Sequence, residues 1–212
     1  MARSPAPPWQ ESFRAAGSGL VTAVGSDPNR VVAVTGADPG DGRTTACAAL
    51  ATALGRTGLR VVAVDLDLRH PDLHRRLGGS NPVGAAEVLA GVRGLSECVQ
   101  AVAPSPHPVA GEERAVQLLP AGNPPADPAE LLTVAALTSL FDALSADADL
   151  VLVDTPPLLP CADGLLIGGR AAGAVVVVRE RRTRTEALDQ VGNALRLSGI
   201  RPLGVLYNRE RR

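Results

Sequence analysis

The amino-acid sequence predicts an α/β fold, a single domain in which a doubly wound, mostly parallel sheet carries helices on both faces. Six short runs rich in Val and Leu alternate along the chain with longer segments of helical periodicity. These runs are apolar on both faces, as strands buried between two helical layers require. With 212 residues, of which 45% are apolar and only 2% aromatic, the chain is long enough for one core of Val, Leu and Ala.

The predicted elements follow in chain order. Residues 1–28 are expected to form a flexible, proline-rich tail and a short helix within "WQESFRAAGSGL", weakened by Gly17 and Gly19, and residues 29–212 the domain itself. The predicted strands are 31–35, 61–65, 116–122, 150–154, 174–178 and 203–207. The main predicted helices are 44–58, 128–146 and 184–199, with glycine ending the first and third. The less regular part contains predicted short helices at 85–91 and around 95–102 and a loop, "APSPHPVAGEE", at 103–113.

Composition and charge exclude several functional classes. The formal net charge of −1 gives the domain no overall electrostatic footprint for nucleic acid or an anionic membrane. No run of about 18 apolar residues is present, so direct membrane insertion is not expected. The start "MARSPAPPWQ" lacks the apolar centre of a secretion signal. Three scattered cysteines, Cys47, Cys98 and Cys161, form neither a disulfide framework nor a zinc pattern. We therefore expect a cytoplasmic protein.

The segment "GADPGDGRTT" at residues 36–45 has the pattern of a phosphate-binding loop between a buried strand and a helix. Such a loop needs glycines that let backbone N–H groups turn inward, and a helix start whose dipole favours anions. The motif G-x-x-x-x-G-K-[ST], with alanine tolerated first, is matched by Ala37, Gly42 and Thr44. Arg43 stands in place of the lysine. The alternative is a simple Gly/Pro turn in a glycine-rich chain.

Acidic residues end two further predicted strands. "VVAVDLD" places Asp65 and Asp67 at the end of one strand, and "LVLVD" places Asp154 at the end of another. Carboxylates at the carboxyl ends of parallel strands converge on the crevice where such sheets bind ligands. Mg²⁺ bound to a nucleotide takes one or two carboxylates together with phosphate oxygens and the loop hydroxyl. Taken singly, Asp65 is equally readable as a helix cap and Asp154 as a turn residue.

Several of these segments together resemble the bacterial tyrosine kinase family, and more narrowly its capsule and exopolysaccharide branch within the ParA/MinD-like P-loop class. The resemblance extends from about residue 11 to residue 209. It is carried by "VTGADPGDGRTT", "VDLDLRHPDLHRRLG", "LLPAGNPPADPAELL", "VLVDTPP" and "GVLYNR". It implies a cytoplasmic kinase domain that uses ATP and Mg²⁺ and works beside a membrane polysaccharide co-polymerase, a chain-length regulator, which recruits it to the inner face of the membrane.

The resemblance also implies roles for individual residues. Asp65 and Asp67 would hold the metal and orient or deprotonate the acceptor hydroxyl, with Arg43 completing the catalytic set. Thr44, Asp65 and Asp154 would form the Mg²⁺ shell. Asn208, after the last strand, would read the adenine edge. The full cofactor-binding set is Pro39, Gly40, Asp41, Gly42, Arg43, Thr44, Thr45 and Asn208.

The sequence departs from the family pattern in several places. The signature E-x-x-R-x-x-R linked to ring assembly is half present, with Glu11 and Arg14 but Gly17 in the last place, so homo-oligomeric rings are in doubt. Asp38 replaces the extra lysine of ParA/MinD relatives, which argues against that branch. The sequence ends at Arg212 without the family's tyrosine-rich tail. Its single tyrosine, Tyr207, is predicted to lie at the end of a buried strand.

The arginine at position 43 is compatible with either an active or a catalytically impaired kinase domain. An arginine keeps the positive charge of the loop lysine but brings a longer, planar fork that cannot occupy the same position. All 21 basic residues of the chain are arginine, so this lysine has disappeared together with every other one. Three functions therefore stand: an active kinase whose target tyrosine lies in another protein, a catalytically impaired, nucleotide-gated regulatory module, and a ParA/MinD-like positioning ATPase.

Overall fold

The computed structural model describes residues 8–103 and 115–209. The first seven residues of the predicted tail and almost all of the predicted 103–113 loop lie outside these ranges. The helices within the ranges are α1 Pro8–Val24, α2 Arg43–Gly55, α3 Leu73–Leu77, α4 Ala85–Leu89, α5 Leu95–Cys98, α6 Val134–Ser145, α7 Asp163–Gly168 and α8 Thr185–Leu197, with a 3₁₀ helix at Pro128–Leu131. The strands are β1 Val31–Gly36, β2 Val61–Asp65, β3 Gln100–Val102, β4 Val116–Leu119, β5 Leu150–Asp154, β6 Gly173–Arg179 and β7 Pro202–Asn208.

The strands form one sheet of seven, as far as the described residues show, in the order β3-β4-β2-β5-β1-β6-β7. Every neighbouring pair is parallel except β3 and β4, which are antiparallel. The order reverses direction at β1, which lies between β5 and β6. Ligands bind outside the carboxyl ends of the strands at such a reversal. The predicted doubly wound, mostly parallel α/β fold is therefore confirmed.

Helices cover both faces of the sheet, as its Val-rich strands require. On one face, Leu50 and Leu54 of α2 pack with Leu20 of α1 against β1 and β6 in a single cluster. On the other face, α6 packs Leu137 and Phe141 against β2 and β5, and α8 covers β6. Because β1, β2 and β5 are parallel, their carboxyl ends lie at the same edge of the sheet, between the two helical layers. No helix among the described residues is both long and apolar enough to cross a bilayer.

The structure differs from the prediction in two irregular parts of the chain. The predicted helix around 95–102 ends at Cys98, and Gln100–Val102 forms strand β3, which pairs with β4 at the sheet edge. Three residues are too few to show an alternating pattern in the sequence. The predicted helix 128–146 is two helices, because Thr133 adopts an extended backbone and its hydroxyl accepts a hydrogen bond from the Ala136 N–H, which starts α6.

The last strand, β7, was also predicted incorrectly in one respect. Tyr207 does not end a buried strand, since 62% of its surface is exposed. β7 lies at the edge of the sheet and pairs only with β6 among the described strands. Its side chains therefore have one covered and one open face: Leu203 and Leu206 pack on the α1/α2 core, while Val205 and Tyr207 are exposed.

Candidate nucleotide-binding site

The phosphate-loop segment joins the end of β1 to the start of α2. Gly40 and Gly42 have φ values of 86° and 94°, in the left-handed region that suits glycine. Gly42 is the residue before α2, and no side chain among the described residues caps the first turn of that helix. The N–H groups at the start of α2 are therefore available to an anion and are favoured by the helix dipole. The loop has the backbone form that the sequence pattern predicts.

The side chain of Asp41 faces the protein interior and shapes the loop. It is fully buried, and its two oxygens accept hydrogen bonds from the Asp38 N–H at 2.9 Å and the Thr183 hydroxyl at 2.8 Å. The Asp41 carbonyl accepts a hydrogen bond from the side-chain amide of Asn208 at 3.2 Å. Asp41 thus contributes only its backbone to the loop surface, and Asn208 lies directly beside the loop.

Two of the predicted acidic residues are neighbours in the sheet. β2 and β5 are adjacent and parallel, and Asp65 is the register partner of Asp154 at their carboxyl ends. Asp154 is fully buried, and neither of its carboxylate oxygens has a hydrogen-bond partner among the described residues. Burial raises the pKa of Asp154 well above its ordinary value and the Asp65 carboxylate raises it further, while the nearby Thr44 hydroxyl and Arg43 lower it. A buried carboxylate without hydrogen-bond partners lowers the stability of the folded protein unless a ligand binds it.

The carboxylate of Asp65, in contrast, has hydrogen-bond donors from the backbone. Its two oxygens accept hydrogen bonds from the N–H groups of Asp67, at 3.2 Å, and Leu73, at 3.0 Å. Burial raises the pKa of Asp65 to about 7, although the Leu73 hydrogen bond acts in the opposite direction, and the Asp67 charge adds to the rise. Asp65 therefore holds the turn after β2 in place and remains beside Asp154.

Arg43 and Asp67 form a buried pair at the centre of the site. The Nη2 atom of Arg43 lies 3.3 Å from Oδ2 of Asp67, and both side chains are almost completely buried. Arg43 also donates from Nε to the Thr155 carbonyl and from Nη1 to the Asp38 carbonyl, each at 2.9 Å. Each of its three nitrogens thus has a protein acceptor. Arg43 connects the loop to the residues that follow β2 and β5 and uses three of its five N–H groups to do so.

Two cavities lie side by side at this edge of the sheet. A polar cavity of about 440 Å³ is lined by Gly40, Gly42, Arg43, Thr44, Thr45, Asp72, Arg76, Arg179 and Asn208. A more apolar cavity of about 460 Å³ is also lined by Phe13, Val177, Leu206 and Tyr207, and it shares Gly42, Thr45 and Asn208 with the first. Each volume lies in the usual range for small-molecule sites. A phosphate chain fits the first cavity in character and an aromatic base the second.

The predicted site residues are largely brought together. The loop residues, Asp65, Asp67, Asp154 and Asn208 all lie at one edge, as the strand-end argument requires. Sequence reasoning missed Arg76, Asp72 and Arg179 as lining residues. Arg179 had a usable signal, because it directly follows the apolar run of β6, a neighbour of β1, and so lies at the same carboxyl edge. Arg179 also begins the arginine-rich run "RERRTR", and such a run is equally typical of a solvated turn.

The donors present fit Mg²⁺ bound together with a nucleotide. Asp154 offers two buried oxygens without partners, and Thr44 lines the polar cavity. Mg²⁺ in nucleotide sites usually takes one or two carboxylates plus phosphate oxygens. The described residues contain no cluster of three or more His, Cys, Asp or Glu side chains arranged to hold a metal ion.

The fold and the site define a P-loop nucleotide-binding domain. The family model described as the CobQ/CobB/MinD/ParA nucleotide binding domain matches residues 32–212. Among solved structures, the kinase domain of the Escherichia coli tyrosine kinase ETK superposes with a TM-score of 0.86 at 25% identity, covering 100% of this chain and 84% of that one. The septum site-determining protein MinD complexed with Mg-ADP, from Pyrococcus horikoshii, gives a TM-score of 0.68 at 25% identity, covering 84% and 70%.

Relatives of known name indicate the family to which this P-loop domain belongs. Tyrosine-protein kinase YwqD of Bacillus subtilis is 33% identical over 177 residues, which cover 84% of this chain and 71% of that protein. Tyrosine-protein kinase wzc of Salmonella typhimurium is 31% identical over 198 residues, 93% of this chain. This chain spans about a quarter of the length of Wzc, 26%. The chain belongs to the bacterial tyrosine kinase family, which confirms the resemblance found in its sequence.

Proposed function

We propose that this chain binds Mg-ATP and transfers the γ-phosphate to tyrosine hydroxyls of a partner protein, thereby regulating the assembly and export of a polysaccharide. The partner implied by the family is a membrane polysaccharide co-polymerase, which would hold the chain at the inner face of the membrane. The observation that carries the proposal is Asp154: a buried carboxylate without a partner among the described residues, next to Asp65 and close to Thr44 of the phosphate loop.

Each group at the site has a separate role in the proposed phosphoryl transfer. ATP supplies the phosphoryl group, and Mg²⁺ neutralises phosphate charge. The backbone N–H groups from Gly40 to Thr45 bind phosphate oxygens, and Thr44 and Asp154 hold the metal. Asp67, whose carboxylate is oriented by Arg43 and the His70 N–H, accepts the proton of the tyrosine hydroxyl. The tyrosine oxygen bonds to the γ-phosphorus, and the bond from that phosphorus to the bridging oxygen of ADP breaks.

The base and ribose occupy the apolar cavity in this proposal. Phe13 from α1 gives it an aromatic wall and Leu206 from β7 an apolar one, and the Asn208 amide lies where the two cavities join. Apolar and aromatic walls with a few polar groups are typical of such sites. Asn208 is the residue that would read the adenine edge.

One observation favours a second function, a catalytically impaired, nucleotide-gated regulatory module. All three nitrogens of Arg43 donate to Thr155, Asp38 and Asp67, so only two of its five N–H groups are left for the phosphate chain. Loss of one preorganised donor to a transition state costs roughly 10²–10³ in rate. Binding depends mainly on the loop amides and Asp154 and would survive that loss.

The decisive experiment combines calorimetry with a transfer assay. Mg-ATP binding is measured on the purified chain, which is then incubated with γ-labelled ATP and a copolymer of glutamate and tyrosine. Label on tyrosine that is lost in Asp67→Asn but kept in Asp142→Asn, the same change on an exposed face of α6, supports the kinase. Saturable binding without label, with label gained in Arg43→Lys, supports the module. Absence of saturable Mg-ATP binding contradicts both.

A further inference from the structure

The one cation of the phosphate loop, Arg43, is used mostly by the protein itself. A loop lysine would place an ammonium among the phosphate oxygens, but Arg43, which replaces it, is 7% exposed and donates to three protein acceptors. A bound triphosphate carries several negative charges close together. Arg43 has only two of its five N–H groups left for it, so further positive charge has to come from another segment.

The turn between β6 and α8 is attached directly to the phosphate loop. The hydroxyl of Thr183 donates to Asp41 at 2.8 Å, and Nη1 of Arg179 donates to the Gly40 carbonyl at 3.0 Å. Thr183 also accepts a hydrogen bond from the Arg179 N–H at 2.9 Å, which closes the turn on itself. The turn is thus positioned by buried Asp41 and is not an independent solvated segment.

Arg182 extends from this turn across the loop. A Cβ atom built on Gly40 would lie 3.2 Å from Cζ and from Nη2 of Arg182, so the guanidinium rests against the Gly40 backbone. Arg181, with a φ of 60°, takes the left-handed conformation in the middle of the turn. The Arg182 side chain is exposed and makes no hydrogen bond or ion pair with the described residues. Its donors are therefore available to a ligand.

We propose that Arg179 and Arg182 bind the phosphate chain of the nucleotide and add to the limited positive charge that Arg43 offers there. The inference rests on the proposed function, since it assigns residues to the same site. Arg179 lines the polar cavity, and Arg182 covers the loop at Gly40. The planar guanidinium suits bidentate contact with phosphate oxygens. Arg76, which also lines the polar cavity, forms an ion pair with Asp72, at 2.8 Å, and is not part of the assignment.

The test is calorimetric titration of the full chain with Mg-ATP and, separately, with magnesium inorganic triphosphate, at fixed ionic strength. The variants are Arg182→Gln, Arg179→Gln and Arg182→Lys. Arg184→Gln is the matched control, because Arg184 is exposed in the same region and does not line the cavity. We expect the first two to weaken binding of both probes by about tenfold or more, because each loses a charge-assisted contact. Arg182→Lys should keep part of the affinity, and Arg184→Gln should change it less than twofold.

The outcomes separate this inference from the proposed function. Unchanged binding in Arg182→Gln and Arg179→Gln, or equal weakening in Arg184→Gln, overturns the inference while the wild type still binds Mg-ATP. Triphosphate binding that depends on Arg182, without binding of Mg-ATP, supports the inference and contradicts the proposed function. A wild type that binds neither probe overturns both. Melting temperatures within about a degree of the wild type exclude misfolding of the exposed Arg182→Gln variant, which decides the question if Arg179→Gln unfolds.

Discussion

At the scale of single residues, Arg43 shows why a residue type alone does not give a role. Its position in the phosphate loop was evident from the sequence, but its hydrogen-bond partners Thr155 and Asp67 lie just after β5 and β2, far along the chain. No local pattern reports such contacts. The acidic residues were predictable because strand ends fix where their backbone lies, whereas the direction of a long side chain depends on its partners in the folded protein.

We predict that Arg43→Lys destabilises the protein, although it restores the consensus phosphate-loop sequence. One ammonium cannot reach the Thr155 carbonyl, the Asp38 carbonyl and Asp67 together, so buried acceptors lose their donor. The free energy of unfolding should fall by about 1–3 kcal/mol in urea titrations. Arg60→Lys is the matched control, because Arg60 pairs with Asp149 at an exposed site and should change stability little. Equal stability of Arg43→Lys and wild type would contradict the buried network.

A second residue-scale prediction concerns Asp154 in the absence of ligands. Asp154→Asn should raise the free energy of unfolding at pH 8 by about 1–3 kcal/mol, because an unsatisfied buried carboxylate becomes a neutral amide. Asp67→Asn should lower it, because Arg43 loses its charged partner. Opposite signs for the two substitutions, measured in the same urea titrations, test the assignment. Destabilisation by both would mean that Asp154 has a partner in solution.

At the scale of elements, the packing of helix α1 on helix α2 determines which residue fits at position 17. It spans 17 residues, Pro8–Val24, and its Gly17 is buried against Leu54 of α2. The sequence indicated a weakened helix here, because glycine lowers helix propensity. It did not indicate that Gly17 permits the close approach of α2. In this packing an arginine in the last place of the E-x-x-R-x-x-R signature would point into the core.

We predict opposite effects for alanine at the two glycines of α1. In Gly17→Ala the new Cβ would lie 2.7 Å from Cδ2 of Leu54, a core side chain, and overpacking should cost about 1–3 kcal/mol of unfolding free energy. In Gly19→Ala the new Cβ has no atom within 4 Å, and the gain in helix propensity should stabilise by about 0.5–1 kcal/mol. Thermal melts of both variants check this. Stabilisation by both would mean that α1 does not pack on α2 as described.

At the scale of the whole molecule, the doubly wound topology is what creates the site. The alternation of elements was sufficient to predict the fold class, but the strand order was not readable from the chain. Because β2 and β5 are neighbours, Asp65 and Asp154 lie side by side although a long stretch of sequence separates them. The antiparallel β3 and the apolar cavity between α1 and β7 depend on tertiary contacts without a sequence period, and the sequence did not predict them.

The paired carboxylates also couple the stability of the whole protein to pH. Burial raises the pKa of Asp65 to about 7 and that of Asp154 well above its ordinary value. In the unfolded chain both groups ionise near pH 4. Between these values the folded protein binds more protons than the unfolded one, so the unfolding free energy without ligand falls as pH rises from about 4 to 7. Metal binding needs the ionised carboxylates, so the affinity for the metal increases as pH rises.

We predict from this opposition that Mg-ATP stabilises the protein more at pH 8 than at pH 6.5. At a ligand concentration of about 100 times Kd the melting temperature should rise by roughly 5–10 °C. EDTA should remove most of the rise, since Asp154 then has no cation to bind. In Asp154→Asn the rise should be small and nearly independent of pH, which separates the carboxylate from the titration of ATP itself. A larger rise at pH 6.5, or an undiminished one in EDTA, would mean that the nucleotide binds without the acidic pair, and the site would then be a phosphate site alone.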